Sequence, residues 1–313
     1  LLTDTSRRFH DIRDVQDVIK TFLGRTAYQL AKDKQFNKAE TLLDRHQERL
    51  SERDFQNLLS SVFEIQANGL RDQKKWEAAI AAYERGVKKL PDDRQLKNNL
   101  IFTWNTWAEV YQRQKNWSAA GEIYLKALES GVDDQEMGKR IGFCVQEQAR
   151  RFWTEDGPQA AEKYLANWVA RQPDLKAIRT AAAVYVQTVV QKYQRDQQPA
   201  KALATADRCR KLLTVKDHAH FIRVVCDQSS QAHVKKSEWN ESLAVYSRGL
   251  KSLPGDSHLT RNAVVTWNQW ASGFIKKKKW GEAIKIYDRA LEQFPKERTL
   301  RNNLKYCLQQ ASK

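Results

Sequence analysis

Methionine occurs once, cysteine four times, proline six times and glycine twelve times in this chain of 313 residues. So little glycine and proline excludes collagen-like and low-complexity chains. Cys144, Cys209, Cys226 and Cys307 stand singly, without the paired spacing of a metal site. They are expected as buried free thiols on helix faces, which mildly favours a reducing, cytoplasmic setting. A Cys209–Cys226 disulfide stays open only for an oxidising compartment. No run is apolar enough to span a membrane, and no signal-peptide pattern is present. The chain opens on Leu1, so a removed segment, a membrane anchor or a catalytic neighbour stays open. There is no glycine-rich phosphate loop, metal-ligand cluster or nucleophile motif. No catalytic residue, cofactor or metal is therefore expected. Asp217-His218-Ala219-His220 comes nearest to a metal pair. Two imidazoles two residues apart on a helix point to different faces, so this segment reads as a solvated helix start.

What the chain does have is aromatic residues in register. Ten tryptophans and ten tyrosines sit in an otherwise very polar sequence. Trp104, Trp107, Ala108 and Tyr111 share one helical face, and Trp117, Ala120, Tyr124 and Ala127 share another. Only five residues separate the two sets, so the helices must fold back on each other. The pattern returns 163 residues later in Trp267, Trp270, Ala271, Phe274, Trp280, Ala283, Tyr287 and Ala290. Phe36, Trp76, Trp117, Pro158, Pro199, Trp239 and Trp280 form a series spaced 40, 41, 41, 41, 40 and 41 residues apart. A small residue stands nine before and three after nearly every one of these anchors. Every proline falls at an expected helix boundary, which suits the first turn of a helix at Pro158 and Pro199.

The segments WEAAIAAYERGVKKLP at 76–91 and WGEAIKIYDRALEQFP at 280–295 resemble the second helix of a tetratricopeptide repeat. Trp104, Trp107, Ala108 and Tyr111 match the first-helix pattern. The resemblance covers most of the chain but departs in period, about 41 residues against the usual 34 or so. The extra residues follow the closing proline, where Leu96 and Leu100 extend the Trp104 stripe, so they should lengthen the first helix. The fold expected is an all-α, right-handed superhelical solenoid of stacked antiparallel helix pairs. Residues 1–15 form a polar lead-in, 16–299 about seven repeats, and 300–313 a C-terminal capping helix that covers the last apolar face.

In such arrays, the resemblance implies, first helices line a concave face where ligands bind. Twelve residues before the anchors of units two to seven stand Glu64, Asn105, Gln146, Gln187, Asp227 and Asn268. One turn on come Asn68, Glu109, Arg150, Gln191 and Gln231, with Gln228 and Gln269 beside the first row. An amide offers both a donor and an acceptor, so this ladder suits the peptide groups of an extended or helical segment of another protein, an acidic one included. The alternative is that these are simply the polar residues any exposed helix carries. The Lys and Asn clamp for a terminal carboxylate is not seen, which disfavours chaperone-tail binding.

The formal charge of +16 gathers at the turns before the anchors. Lys32, Lys34, Lys74, Lys75, Arg113, Lys115, Lys235, Lys236, Lys276, Lys277, Lys278 and Lys279 should stack along one basic edge, interrupted by Glu155 and Asp156. Such an edge offers the second reading, binding of a nucleic acid or another polyanion. Assigning the aromatics to the core counts against base stacking there.

Overall fold

A computed structural model describes the backbone of residues 2–132 and 134–312 and the side chains of 15–132 and 136–312. Its regular structure is fifteen α-helices and two short 3-10 turns, with no strand among the described residues. The helices alternate as long first and short second members of a pair. The pairs are α1 (Leu2–Lys32) with α2 (Phe36–Arg45), α3 (Glu52–Asp72) with α4 (Trp76–Lys89), and α5 (Arg94–Arg113) with α6 (Trp117–Glu129). Then follow α7 (Asp134–Glu155) with α8 (Pro158–Arg171), and α9 (Lys176–Arg195) with α10 (Pro199–Arg208). The last are α11 (Val215–Lys235) with α12 (Trp239–Ser252), and α13 (Ser257–Ile275) with α14 (Trp280–Gln293). A lone helix, α15 (Arg298–Ala311), packs on α13 and α14. The stretch expected as a lead-in is helical from Leu2 onward and continues into α1.

The chain divides into two compact units, residues 1–144 and 145–313, with the division inside α7. First helices pack on the next first helix, as α1 on α3 and α3 on α5 in the first unit and α9 on α11 and α11 on α13 in the second, and on their own second helix, as α3 on α4 and α11 on α12. Every anchor is the first residue of its second helix. The residues inserted after the closing prolines do lengthen the first helices. α5, for example, starts at Arg94 with Asp93 as its cap, and Leu96 is fully buried. Ser51, Thr214 and Asp256 cap α3, α11 and α13 in the same way, each accepting a backbone N–H at the third residue on.

The small residues sit where the helices cross. Ala39, Ala67, Ala79, Ala108, Ala120, Ala149, Ala161, Ala202, Ala271 and Ala283 are all fully buried. Where one repeat has serine at both places, Ser230 and Ser242 hydrogen-bond each other at 2.6 Å, so neither buried hydroxyl is orphaned. Gly86 and Gly249, 163 residues apart, mark a tighter crossing. A Cβ on Gly86 would lie 3.0 Å from Phe63 Cγ. All four cysteines are buried free thiols, and burial pushes Cys144 up to about 11 and Cys209 and Cys226 up to about 12.

Six of the seven intra-repeat turns share one design, and the turn between α7 and α8 instead has Gly157 at a φ of 90°. Lys74 N–H donates to Arg71 O and Lys75 N–H to Leu70 O, the paired bonds of a Schellman motif. The same pair of bonds recurs at Lys34, Lys115, Gln197, Ser237 and Lys278. All six of these residues have left-handed backbone, with φ between 54° and 60°. Glycine is the usual occupant of that position, because a Cβ there costs about 1–2 kcal/mol. Lys74→Gly and Lys278→Gly are therefore expected to stabilise the chain, by about 0.5–1 kcal/mol each after glycine's greater unfolded-state entropy is counted. Urea midpoints would measure this, and a fall in midpoint would contradict it.

Candidate interaction surfaces

The amide and acid ladder lies on the first helices, but its rungs are not equivalent. Glu64 on α3 accepts from Asn99 Nδ2 on α5 at 2.9 Å. Asp227 on α11 accepts from Asn262 Nδ2 on α13 at 2.8 Å, and Asn268 on α13 accepts from Asn303 Nδ2 on α15 at 2.7 Å. In each case the donor is 35 residues on, in the first helix of the next repeat. These three rungs stitch neighbouring repeats together. Burial raises the Glu64 carboxyl, with help from nearby Asp93, while the bonds from Gln95 and Asn99 work the other way. At Asn105 the residue 35 on is Arg140. There Asn105 Oδ1 and Arg140 Nε are both buried without a hydrogen-bond partner among the described residues.

The second row is also divided. Asn68 Oδ1 accepts from the Tyr83 hydroxyl at 2.7 Å, and burial pushes that phenol up to about 12. Glu109 faces Arg113 at 3.5 Å, and Arg150 pairs with Glu147 at 2.9 Å. Gln228 Oε1 accepts from Gln194 Nε2 of α9 at 2.7 Å. The residues 35 positions after Gln146 and Gln187 are Ala181 and Ile222, which offer no polar atom beyond the backbone. Gln146 is half-buried, whereas Gln187, Gln191, Gln231 and Gln269 are exposed. The structure thus leaves exposed amides on α9, α11 and α13, helices that pack in succession within the C-terminal unit.

Sequence reasoning missed an apolar row beside this ladder. Phe102, Phe143, Val265 and Tyr306 are 54%, 49%, 47% and 49% exposed. They occupy one repeat position, 26 residues after Trp76, Trp117, Trp239 and Trp280. The same offset from Phe36 and Pro199 falls on Val62 and Val225, which are buried, so spacing alone did not mark these side chains as exposed. The aromatics are therefore not all in the core, and the correction has a simple cause. The Trp104 stripe is buried, with Lys126 of the paired helix α6 over the Trp107 ring, whereas the Phe102 position faces outward. Phe143 and Tyr306 meet Trp117 and Trp280 edge-on, with ring centres 5.6 and 6.2 Å apart. The Arg71 guanidinium lies 5.1 Å from the Phe102 ring centre.

The basic turns are exposed in both units. In the N-terminal unit these are Lys32, Lys34, Lys74, Lys75, Arg113 and Lys115, and in the C-terminal unit Lys235, Lys236 and Lys276 to Lys279. Glu155, which was expected to interrupt the row, is held by Arg151 at 2.8 Å. His218 corrects another expectation. It is 3% exposed, not solvated, with Nε2 3.0 Å from Asp207 Oδ1. Thr214 caps α11, so residue 218 falls one turn inside and faces α10. His220 stays exposed on another face. Among the described residues no group of three His, Cys, Asp or Glu could hold a metal ion, and no helix is long and apolar enough to cross a membrane.

A family model described as PPR repeat matches residues 265–293, which take in the second half of α13 and all of α14. No curated protein sequence matches the chain. Among solved structures, the TPR domain of P58(IPK) is 14% identical, over 99% of this chain and 85% of that one, with a TM-score of 0.22. A circular tandem repeat protein with novel repeat topology is 12% identical over 99% and 94%, with a TM-score of 0.28. The TPR2AB domain of yeast Sti1, in complex with pHSP90, is 14% identical over 82% and 99%, with a TM-score of 0.20. Superpositions this loose carry no functional argument. By its own helix order and anchor spacing the chain is a helical-hairpin repeat array, similar to proteins built from tetratricopeptide and PPR units.

Proposed function

We propose that the chain is a protein-interaction scaffold that holds an extended segment of a partner against its first helices. The observation that carries this reading is the set of exposed amides on α9, α11 and α13 of the C-terminal unit. Gln187, Gln191, Gln231 and Gln269 can each donate to and accept from a peptide group, whatever the partner's side chains are. In the C-terminal unit the spent rungs Asp227 and Asn268 hold the frame, with Gln146 and Arg150 on α7 and Gln228 on α11; in the N-terminal unit Glu64 and Asn68 hold the frame, with Asn105 and Glu109 on α5. No residue is assigned a catalytic role. Panning a random peptide library on the chain tests this. Peptides enriched on the parent are expected to bind a Gln187→Ala, Gln191→Ala, Gln231→Ala variant at least tenfold more weakly, with unchanged helicity. Equal binding by the variant would end the reading.

A second reading, capture of a polyanion along the turns, is favoured by the lysines at left-handed positions. Among the described residues, four of the six non-glycine positions with positive φ are lysine, a choice that local backbone energetics opposes.

A further inference from the structure

We infer that the turn edge of the N-terminal unit binds single-stranded nucleic acid, with Phe102 and Phe143 as stacking platforms between pairs of basic turn residues. This rests on the second reading above and adds a ligand class to it. Phe102 and Phe143 are 41 residues apart, the same place in consecutive repeats, and each is about half exposed. Neither projects freely. Phe102 lies under the Arg71 guanidinium, and Phe143 stands perpendicular to Trp117 at an interplanar angle of 90°. Such supported, half-open rings suit a flat base better than they suit insertion into a lipid layer. Lys74 and Lys75 precede Trp76, one turn beyond Arg71, and Arg113 and Lys115 precede Trp117. Each platform is therefore adjoined by a turn bearing two cations. Aromatic faces alternating with phosphate-seeking cations along a groove are how single strands are held without reading their sequence. A duplex hides its base faces and gains only the charge term.

The test uses the full chain and fluorescence anisotropy with labelled oligo(dT) and oligo(U), a hairpin duplex, heparin and anionic phosphatidylserine vesicles. Phe102→Leu with Phe143→Leu keeps apolar volume and removes the flat rings. It is expected to weaken single-strand binding about tenfold or more, with no change in salt dependence. Lys74→Gln with Lys75→Gln is expected to flatten the slope of log affinity against log salt by about 1.4. Oligo(dT) against oligo(U) tells whether DNA or RNA is preferred. Equal binding of single strand, duplex and heparin, indifferent to the phenylalanine changes, would overturn the inference and leave the polyanion reading standing. Binding of vesicles alone would overturn the inference in favour of a membrane surface. No binding of any polyanion at low salt would remove both.

Discussion

Trp267→Ala is expected to destabilise the C-terminal unit by about 3–5 kcal/mol, and Trp104→Ala to do the same in the N-terminal unit. The two positions are 163 residues apart and structurally matched. Trp267 is 2% exposed and stacks on Trp270 with ring centres 5.5 Å apart; Trp104 is 5% exposed and stacks on Trp107 at 5.7 Å. Arg289 of the paired helix lies over both rings of the C-terminal pair. Removing the indole opens a cavity between two helices that can close on it only by moving a whole repeat. The conservative control is informative. Trp104 Nε1 and Trp267 Nε1 are buried without an acceptor among the described residues, so Phe loses ring volume but no hydrogen bond. Trp267→Phe should therefore cost about 1–2 kcal/mol. Urea unfolding followed by circular dichroism measures both, and equal losses for Phe and Ala would refute the cavity argument.

Asp227→Ala is expected to cost about 2–3 kcal/mol, although the residue lies on the ladder face. Its Oδ1 accepts from the Tyr246 hydroxyl at 3.2 Å and from Asn262 Nδ2 at 2.8 Å, and its Oδ2 meets His258 Nε2 at 2.6 Å. Three bonds at about 1 kcal/mol each, linking α11 to α12 and α13, set the magnitude. Asn262→Ala removes a single stitch and should cost about 1 kcal/mol. Gln187→Ala and Gln231→Ala, on the same face but exposed, should change stability by less than about 0.5 kcal/mol. Thermal unfolding of these four variants separates rungs that hold the array together from rungs free to meet a partner. Similar losses at Asp227 and Gln187 would erase that distinction.

Particular residues show how far the sequence could be read. Trp117 and Trp280 announce equivalent places, and both begin a second helix. Pro158 and Pro199, placed by spacing alone, begin second helices too. The turns were legible as turns, but not as a glycine-like backbone occupied by lysine. Ser230 with Ser242 was legible as a small-residue crossing, and the bond between them follows from it. Asn99, Asn262 and Asn303 were in plain view 35 residues after three rungs, yet a residue's partner in the adjoining repeat cannot be read from periodicity within one helix. Phe102 and Phe143 failed for a related reason. An aromatic at helical spacing is core only if a neighbour covers it.

Sequence by itself determined the helix pairs, their order and the residues at each crossing, because hairpin repeats are built from local periodicity and contacts between neighbours. Only the tertiary structure decided which amides are spent and which are open, which aromatics face outward, and that His218 is buried. Those outcomes depend on what the next helix supplies across the interface, and a polar atom is free only when nothing there takes its hydrogen bond.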